Sequence, residues 1–170
     1  MTENAYLRTP AIAGDVIAFV TEDDLWTVPA DGGVAVRFTA MRGEIARPAF
    51  SPDGALLAFS SKEEHHLEVY VAPASGGAPK RLTFLGATST VVGWTQDGDI
   101  VFKTDHGTPF LKETELWAIS PRGGEPRRLP HGLASEIAYG PKGKVALGRN
   151  TIDPARWKRY RGGTAGHLWV

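Results

Sequence analysis

The sequence predicts an all-β fold: a β-propeller of four-stranded antiparallel blades, with about four blades present and the last one incomplete. Two observations lead to this prediction. Twenty glycines and twelve prolines lie between short runs of Val, Ile, Phe, Trp and Leu along the 170 residues, a pattern typical of short strands joined by tight turns. Two sequence markers also recur in the same order with a period near 44 residues, which is the length of a propeller blade.

The first marker is a turn between two apolar runs. Its copies are AFSPDGALLAF at residues 49–59, GWTQDGDIVF at 93–102 and the weaker AYGPKGKVAL at 138–147, preceded by a shorter copy, AIAGDVIAF, at 11–19. The turn glycines Gly54, Gly98 and Gly143 stand 44 and 45 residues apart. This marker predicts the first two strands of each blade, joined by a tight turn in which glycine supplies a positive φ.

The second marker follows the first and combines an aromatic run, a Gly-Gly pair and an arginine. The aromatic runs are LWTV at 25–28, VYV at 69–71 and LWAI at 116–119; the second glycines are at 33, 77 and 124; and the arginine segments are RFT at 37–39, RLT at 81–83 and RL at 128–129. The aromatic run predicts the third strand, since alternate side chains of a strand face opposite sides. The Gly-Gly pair predicts the next turn, and the arginine segment predicts an outer edge strand that tolerates charge.

The same repeat assigns the first and second strands of each unit. The first strand carries the aromatic residue that precedes the turn, namely Phe50, Trp94 or Tyr139. The second strand is a nearly continuous apolar run such as residues 56–59 (LLAF), as expected when both faces of a strand are covered. An open β-solenoid or a sandwich with accidental similarity is the alternative architecture.

The repeat also defines the expected domain organisation. The blades span about 9–39, 47–84, 92–130 and 136–170, and the last ends on a third-strand pattern with no Gly-Gly turn or outer strand. Propellers close with roughly 4–8 blades. We therefore expect residues 1–170 to be a partial N-terminal propeller of a longer polypeptide, with any catalytic domains outside this chain.

Composition excludes several function classes. Lys+Arg and Asp+Glu tie at 19 each, whereas nucleic-acid and anionic-membrane binders need surplus cations. The absence of cysteine excludes disulfides, thiolate metal sites and a cysteine nucleophile. No apolar run approaches the roughly 20 residues of a membrane helix, and the N-terminus has no signal-peptide pattern. The composition predicts a cytoplasmic protein with neither nucleic-acid nor membrane partners.

No residue of the chain is predicted to be catalytic or to bind a cofactor. The sequence has no Gly-x-Ser-x-Gly nucleophile motif, and Ser51 belongs to the repeated turn. Residues 62–68 (KEEHHLE) combine His65 and His66 with three glutamates. Because adjacent strand residues face opposite sides, we interpret this segment as a solvated loop between the second and third strands and predict no metal site.

One dense basic and aromatic segment is the candidate contact site. It consists of Arg156, Trp157, Lys158, Arg159, Tyr160 and Arg161. The simplest interpretation is a loop that caps the fourth blade, with its aromatic rings between blades and its cations in water. The segment could instead attract peptide carboxylates in a channel or form a subunit contact with an acidic partner. Nucleic-acid binding by stacking and charge is a third interpretation.

Two stretches resemble a known family, the tricorn-type proteases. They are DVIAFVTEDDLW at residues 15–26 and NTIDPARWKRYRGGTAGHLW at 150–169, of which WKRYRGG at 157–163 is the most specific. The resemblance implies a six-bladed N-terminal propeller, a catalytic serine and histidine in later domains, and a hexameric peptidase that degrades oligopeptides. The family's basic pair for the substrate C-terminus is not carried over, because the corresponding residues 84–94 (FLGATSTVVGW) contain no Arg or Lys.

The leading functional hypothesis therefore concerns an enzyme segment. The chain is expected to be the N-terminal propeller of a tricorn-like serine peptidase that degrades cytosolic oligopeptides, with the propeller shaping substrate or product passage and assembly. The expected partners are peptides, the remaining domains of the parent chain and, by resemblance, further copies in a hexamer. The alternatives are a stand-alone propeller scaffold for protein partners and a propeller that caps an α/β-hydrolase peptidase, because a propeller fold alone does not select a function.

Overall fold

The computed structural model describes residues 6–110, 113–149 and 166–170. Within these ranges the chain forms four antiparallel sheets, called here blades 1 to 4, in each of which strands adjacent in sequence pair with one another. The strands of blades 1 and 2 are β1 (Arg8–Ala13), β2 (Val16–Thr21), β3 (Asp24–Pro29), β4 (Val36–Arg37), β5 (Ile45–Phe50), β6 (Leu56–Ser61), β7 (Glu68–Pro73) and β8 (Lys80–Arg81). Those of blades 3 and 4 are β9 (Ser89–Trp94), β10 (Ile100–Thr104), β11 (Glu115–Ile119), β12 (Arg127–Leu133), β13 (Glu136–Tyr139), β14 (Val145–Arg149) and β15 (His167–Trp169).

This architecture confirms the predicted fold class. Blades 1 to 3 each contain four strands in sequence order, and blade 4 contains three within the described residues. The predicted aromatic residues Phe50, Trp94 and Tyr139 end the first strands β5, β9 and β13. A single turn of 3-10 helix, Pro141–Gly143, joins the first two strands of blade 4.

The turn between β5 and β6 shows how the repeated sequence forms a tight connection. Gly54 adopts φ +71°, and the Ser51 hydroxyl lies 2.5 Å from Asp53 Oδ1 while accepting the Leu56 N–H at 2.9 Å. The Ser51 hydroxyl and the Ala55 amide, in that order, hold the pKa of Asp53 below its ordinary value. The predicted turn role of Ser51 is thus confirmed.

The outer strands of blades 1 and 2 are shorter than the arginine segments suggested. Strand β4 ends at Arg37, because Phe38 and Thr39 turn back so that both of their amides donate to the Leu25 carbonyl. The Thr39 hydroxyl completes this closure by accepting the Leu25 N–H at 3.0 Å. The repeated threonine therefore closes the blade edge instead of extending it.

The hydrophobic core lies between neighbouring blades. Leu25 and Phe59 pack in the cluster between blades 1 and 2, Phe102 belongs to the cluster between blades 2 and 3, and Leu116 to the cluster between blades 3 and 4. Burial of apolar surface on both faces explains why the second strands are nearly continuous apolar runs.

Candidate binding site in the central channel

Three charged side chains of blades 2, 3 and 4 meet beside the first, innermost strands of blades 2 and 4. In a propeller these innermost strands surround the central channel, and β5 packs against both β1 and β9 in this chain. Arg47 on β5, Lys103 on β10 and Glu136 on β13 meet here, although they come from three different blades. We call these three residues the channel cluster.

A backbone irregularity positions Arg47. Between Ala46 and Ala49 strand β5 carries one more residue than its partner β6, which forms a β-bulge. Arg47 occupies the bulge with φ +53°, a conformation that is uncommon outside glycine. The following Pro48 has no backbone N–H, which is tolerated here because β5 is an edge strand. Bulges of this kind redirect a side chain, and here the guanidinium reaches Glu136 across blade 3.

Lys103 supplies the second cation from a more buried position. Its side chain is 12% exposed, and its Nζ lies 3.4 Å from Glu136 Oε1. Burial is the main cause that lowers the pKa of Lys103; Glu136 opposes this shift and Arg47 adds to it.

The position of Lys103 carries no charge in the other blades. The pairing of second and third strands places Val20, Ser60 and Gly148 at the position equivalent to Lys103. The blade fold itself therefore does not require a charge there.

The channel cluster has an unbalanced charge. Glu136 Oε1 accepts hydrogen bonds from both Arg47 Nη2 and Lys103 Nζ, so two cations share one carboxylate. Arg8, on the innermost strand of blade 1, shows the opposite balance: it lies 2.9 Å from Asp23 and 3.6 Å from Glu44. The cluster can therefore attract an anion, and it contains no serine, threonine or cysteine that could serve as the nucleophile of a peptidase.

A second set of charged residues recurs in the blades and is structural. Asp24, Glu68 and Glu115 each begin the third strand of a blade and form an ion pair with the arginine 13 residues later, which is Arg37, Arg81 or Arg128. In blades 1 and 2 the carboxylate also accepts the hydroxyl of a threonine, Thr39 or Thr83. Pro130 takes the place of this threonine in blade 3.

Neither of these sets was predicted from the sequence. The structural acids carried a usable signal, because an acidic residue precedes each repeated arginine by the same 13 positions. The channel cluster carried no such signal: Arg47 and Glu136 are 89 residues apart, and only the packing of blades brings them together.

The sequence-predicted contact residues remain a prediction. These residues are Arg156, Trp157, Lys158, Arg159, Tyr160 and Arg161. They lie outside the described residues, between β14 and β15 in the sequence.

The KEEHHLE segment at residues 62–68 lies within the described part of the chain. His65 and His66 are exposed there, whereas Glu68 is buried. Glu63 accepts the amide N–H groups of Arg42 and Gly43 at 3.0 and 3.4 Å.

The described ranges contain neither a candidate metal centre nor a membrane-spanning helix. Among residues 6–110, 113–149 and 166–170, no group of three or more His, Cys, Asp or Glu side chains is arranged to hold a metal ion. None of the helical structure in that part of the chain is long and apolar enough to cross a bilayer.

Comparison with known proteins places the chain among propeller segments of large proteases. The sequence profile of the tricorn protease N-terminal β-propeller domain matches residues 4–170. Tricorn protease homolog 1 of Streptomyces coelicolor is 41% identical over 167 residues, which cover 98% of this chain but 16% of that protein. A Sulfurisphaera tokodaii protein, named for the N-terminal subunit of a tricorn-like protease, is 32% identical, with 97% of this chain and 86% of that protein covered.

Solved structures agree with the sequence comparison. The crystal structure of the tricorn protease superposes on 97% of this chain and 17% of its own, with a TM-score of 0.86 and 31% identity. TolB from Acinetobacter baumannii matches 85% of this chain and 38% of its own at a TM-score of 0.64 and 20% identity, a likeness of fold alone. The chain thus spans about one sixth of the length of the full-length tricorn relatives.

Proposed function

The chain belongs to the tricorn protease family, as its N-terminal β-propeller, and from this membership we propose that it serves a serine peptidase that degrades oligopeptides. The observation that carries the proposal is the match over nearly the whole chain to a tricorn protease in both sequence and fold. The stand-alone scaffold is not favoured, because the relatives that cover 98% of this chain are named as proteases.

The proposed role of the propeller is to shape the passage of peptides. The innermost strands surround a channel, and the channel cluster places an exposed guanidinium on its wall. Such a wall contacts a peptide without cleaving it. Hydrolysis itself is proposed to take place in domains outside this chain. We further propose that the enzyme is cytoplasmic and forms a homo-oligomer, a hexamer by resemblance to the family.

Peptidase assays of the full-length protein test this function. We expect the protein to hydrolyse fluorogenic oligopeptides, a serine-directed inhibitor to abolish that hydrolysis, and deletion of residues 1–170 to reduce it. Hydrolysis that is absent, or that continues unchanged after the deletion, would contradict the proposal.

The remaining blades of the parent chain are proposed as the covalent partner of this segment. Leu25, Val69 and Leu116 occupy one repeat position and are 0% exposed, because the following blade covers each of them, whereas Leu168 at the same position of blade 4 is 81% exposed. On the opposite side, Leu7 in blade 1 is exposed where the equivalent Ile45 of blade 2 is buried. Each of these faces fits another blade of the same chemistry.

Residues 1–170 expressed alone are therefore expected to self-associate, because two apolar blade faces and their strand edges meet water. Replacing Leu7 and Leu168 together by lysine is expected to reduce the aggregated fraction measured by sedimentation velocity. The double replacement of Val34 and Val36 by lysine is the matched control, because these two valines are apolar and similarly exposed but lie in the turn before β4 and on β4 itself. A compact monomer of the unmodified segment would overturn this expectation.

A further inference from the structure

We propose that the channel cluster is a carboxylate-binding site for peptides, in which Arg47 makes the contact and Lys103 holds Glu136 in place. The inference rests on the proposed function for the identity of its ligand, and it adds the chemistry by which the channel discriminates between ligands. Nothing in the repeat explains the cluster, because no other blade carries a charged residue at the Lys103 position among those with a described β-register.

Arg47 has donors available for a ligand. A guanidinium carries five N–H groups, and within the described residues only Nη2 of Arg47 is engaged, by Glu136. The side chain is 41% exposed, which leaves it accessible to a ligand. The bulge that holds Arg47 is anchored on both sides by paired residues of β5 and β6, which fixes the guanidinium at the wall.

The charge balance favours an incoming anion. Arg47 and Lys103 together carry two positive charges against the single negative charge of Glu136. A carboxylate that binds Arg47 restores neutrality, and the ion pair is only partly screened because the Lys103 side chain is largely buried. At Arg8 two carboxylates already surround one cation, so a further anion gains nothing there.

Lys103 lowers the free-energy cost of replacing Glu136 by a ligand carboxylate at Arg47. Glu136 is bonded to both cations through the same oxygen. When a ligand carboxylate takes over Arg47, Glu136 keeps its bond to Lys103, and no buried charge is left without a partner. The Arg47–Glu136 pair is itself partly exposed, at 41% and 35%, so exchanging it costs less than breaking a buried pair.

The ligand class follows from the donor. Arginine recognises carboxylates through two parallel N–H bonds, and a peptide offers carboxylates either at its C-terminus or on Asp and Glu side chains. The shared chemistry is the carboxylate; the two sources are separated by the choice of probe.

Equilibrium binding to the full-length protein tests the proposal, with any hydrolysis blocked by a serine-directed inhibitor. The probes are fluorescently labelled tetra-alanine with a free C-terminus, its C-terminal amide, and the amide with one alanine replaced by glutamate. Wild-type protein is expected to bind one or both of the carboxylate-bearing probes about tenfold more tightly than the neutral amide, the ratio expected for one charge-assisted contact. Equal affinity for all three probes overturns the proposal.

Three variants test whether the channel cluster binds a ligand or only stabilises the contact between blades. Arg47→Gln is expected to remove the preference for carboxylate probes, whereas Arg8→Gln, a matched loss of one inner-strand cation, leaves it unchanged. Glu136→Gln is expected to tighten binding several-fold, because it removes the resident carboxylate that competes for Arg47. If Arg47→Gln and Arg8→Gln behave alike, or if Glu136→Gln does not tighten binding, the cluster only ties the blades together.

This test is independent of the peptidase assay. Retained hydrolysis with no carboxylate preference in binding overturns the site and leaves the proposed function intact. A clear carboxylate preference in a protein that hydrolyses no peptide supports the site and contradicts the peptidase assignment.

Discussion

Replacing Glu68 by alanine is expected to destabilise blade 2 by about 3 kcal/mol, near the lower end of the cost of breaking a buried ion pair. The Glu68 side chain is 3% exposed. It accepts the Thr83 hydroxyl at 2.5 Å and the Gly86 N–H at 3.1 Å, and it lies 3.4 Å from Arg81. Alanine removes all three contacts. Hydrogen exchange of the β6–β7 amides in the full-length protein is then expected to accelerate by about a hundredfold.

Blade 3 provides the matched control for this prediction. Glu115 occupies the equivalent position but contacts the more exposed Arg128, and Pro130 replaces the threonine that would bond it. Glu115→Ala is therefore expected to cost about 1 kcal/mol, near the value of a surface ion pair. Similar losses from the two substitutions would show that the hydrogen bonds of Thr83 and Gly86 to Glu68 contribute little.

The repeat made the fold predictable because each blade uses the same local chemistry. Turn glycines such as Gly54 and Gly98 have the positive φ that the tight turns require, and the apolar runs are buried on both faces. Local propensity, spacing and burial all favour the same structure, and such agreement makes sequence patterns informative.

The candidate site could not be predicted in the same way, because its residues break the repeat. Lys103 stands where other blades have Val20 or Ser60, and nothing next to it in sequence indicates that it reaches Glu136. The contact depends on the angle between blades, which is a tertiary property, and on an arginine at a β-bulge whose counterparts occur in β1 and β9. The dense basic segment that the sequence favoured as the contact site, residues 156–161, lies outside the described residues.

Replacing Gly43 by alanine is also expected to destabilise the protein strongly, because the surrounding backbone leaves no space for a Cβ atom. An added Cβ would overlap the carbonyl group of Lys62 and approach the amide nitrogen of Glu63 to 2.6 Å. These are backbone atoms, and they cannot easily withdraw because the Lys62 N–H donates to the Glu44 carbonyl at 3.0 Å. Gly43→Ala is therefore expected to cost about 3 kcal/mol, at the upper end for overpacking, measured by pulse proteolysis of the full-length protein in urea.

Gly140 provides the control, because a Cβ there would meet Lys144 only at an ordinary 3.6 Å and the backbone has φ −106°. Gly140→Ala is expected to change stability by less than about 0.5 kcal/mol, as for other surface substitutions. Gly43 also lies two residues before β5, the strand that carries Arg47. The Gly43 variant should therefore weaken carboxylate binding as well, whereas the Gly140 variant should not. An unchanged stability of Gly43→Ala would mean that the loop before β5 is not held against the β6–β7 loop.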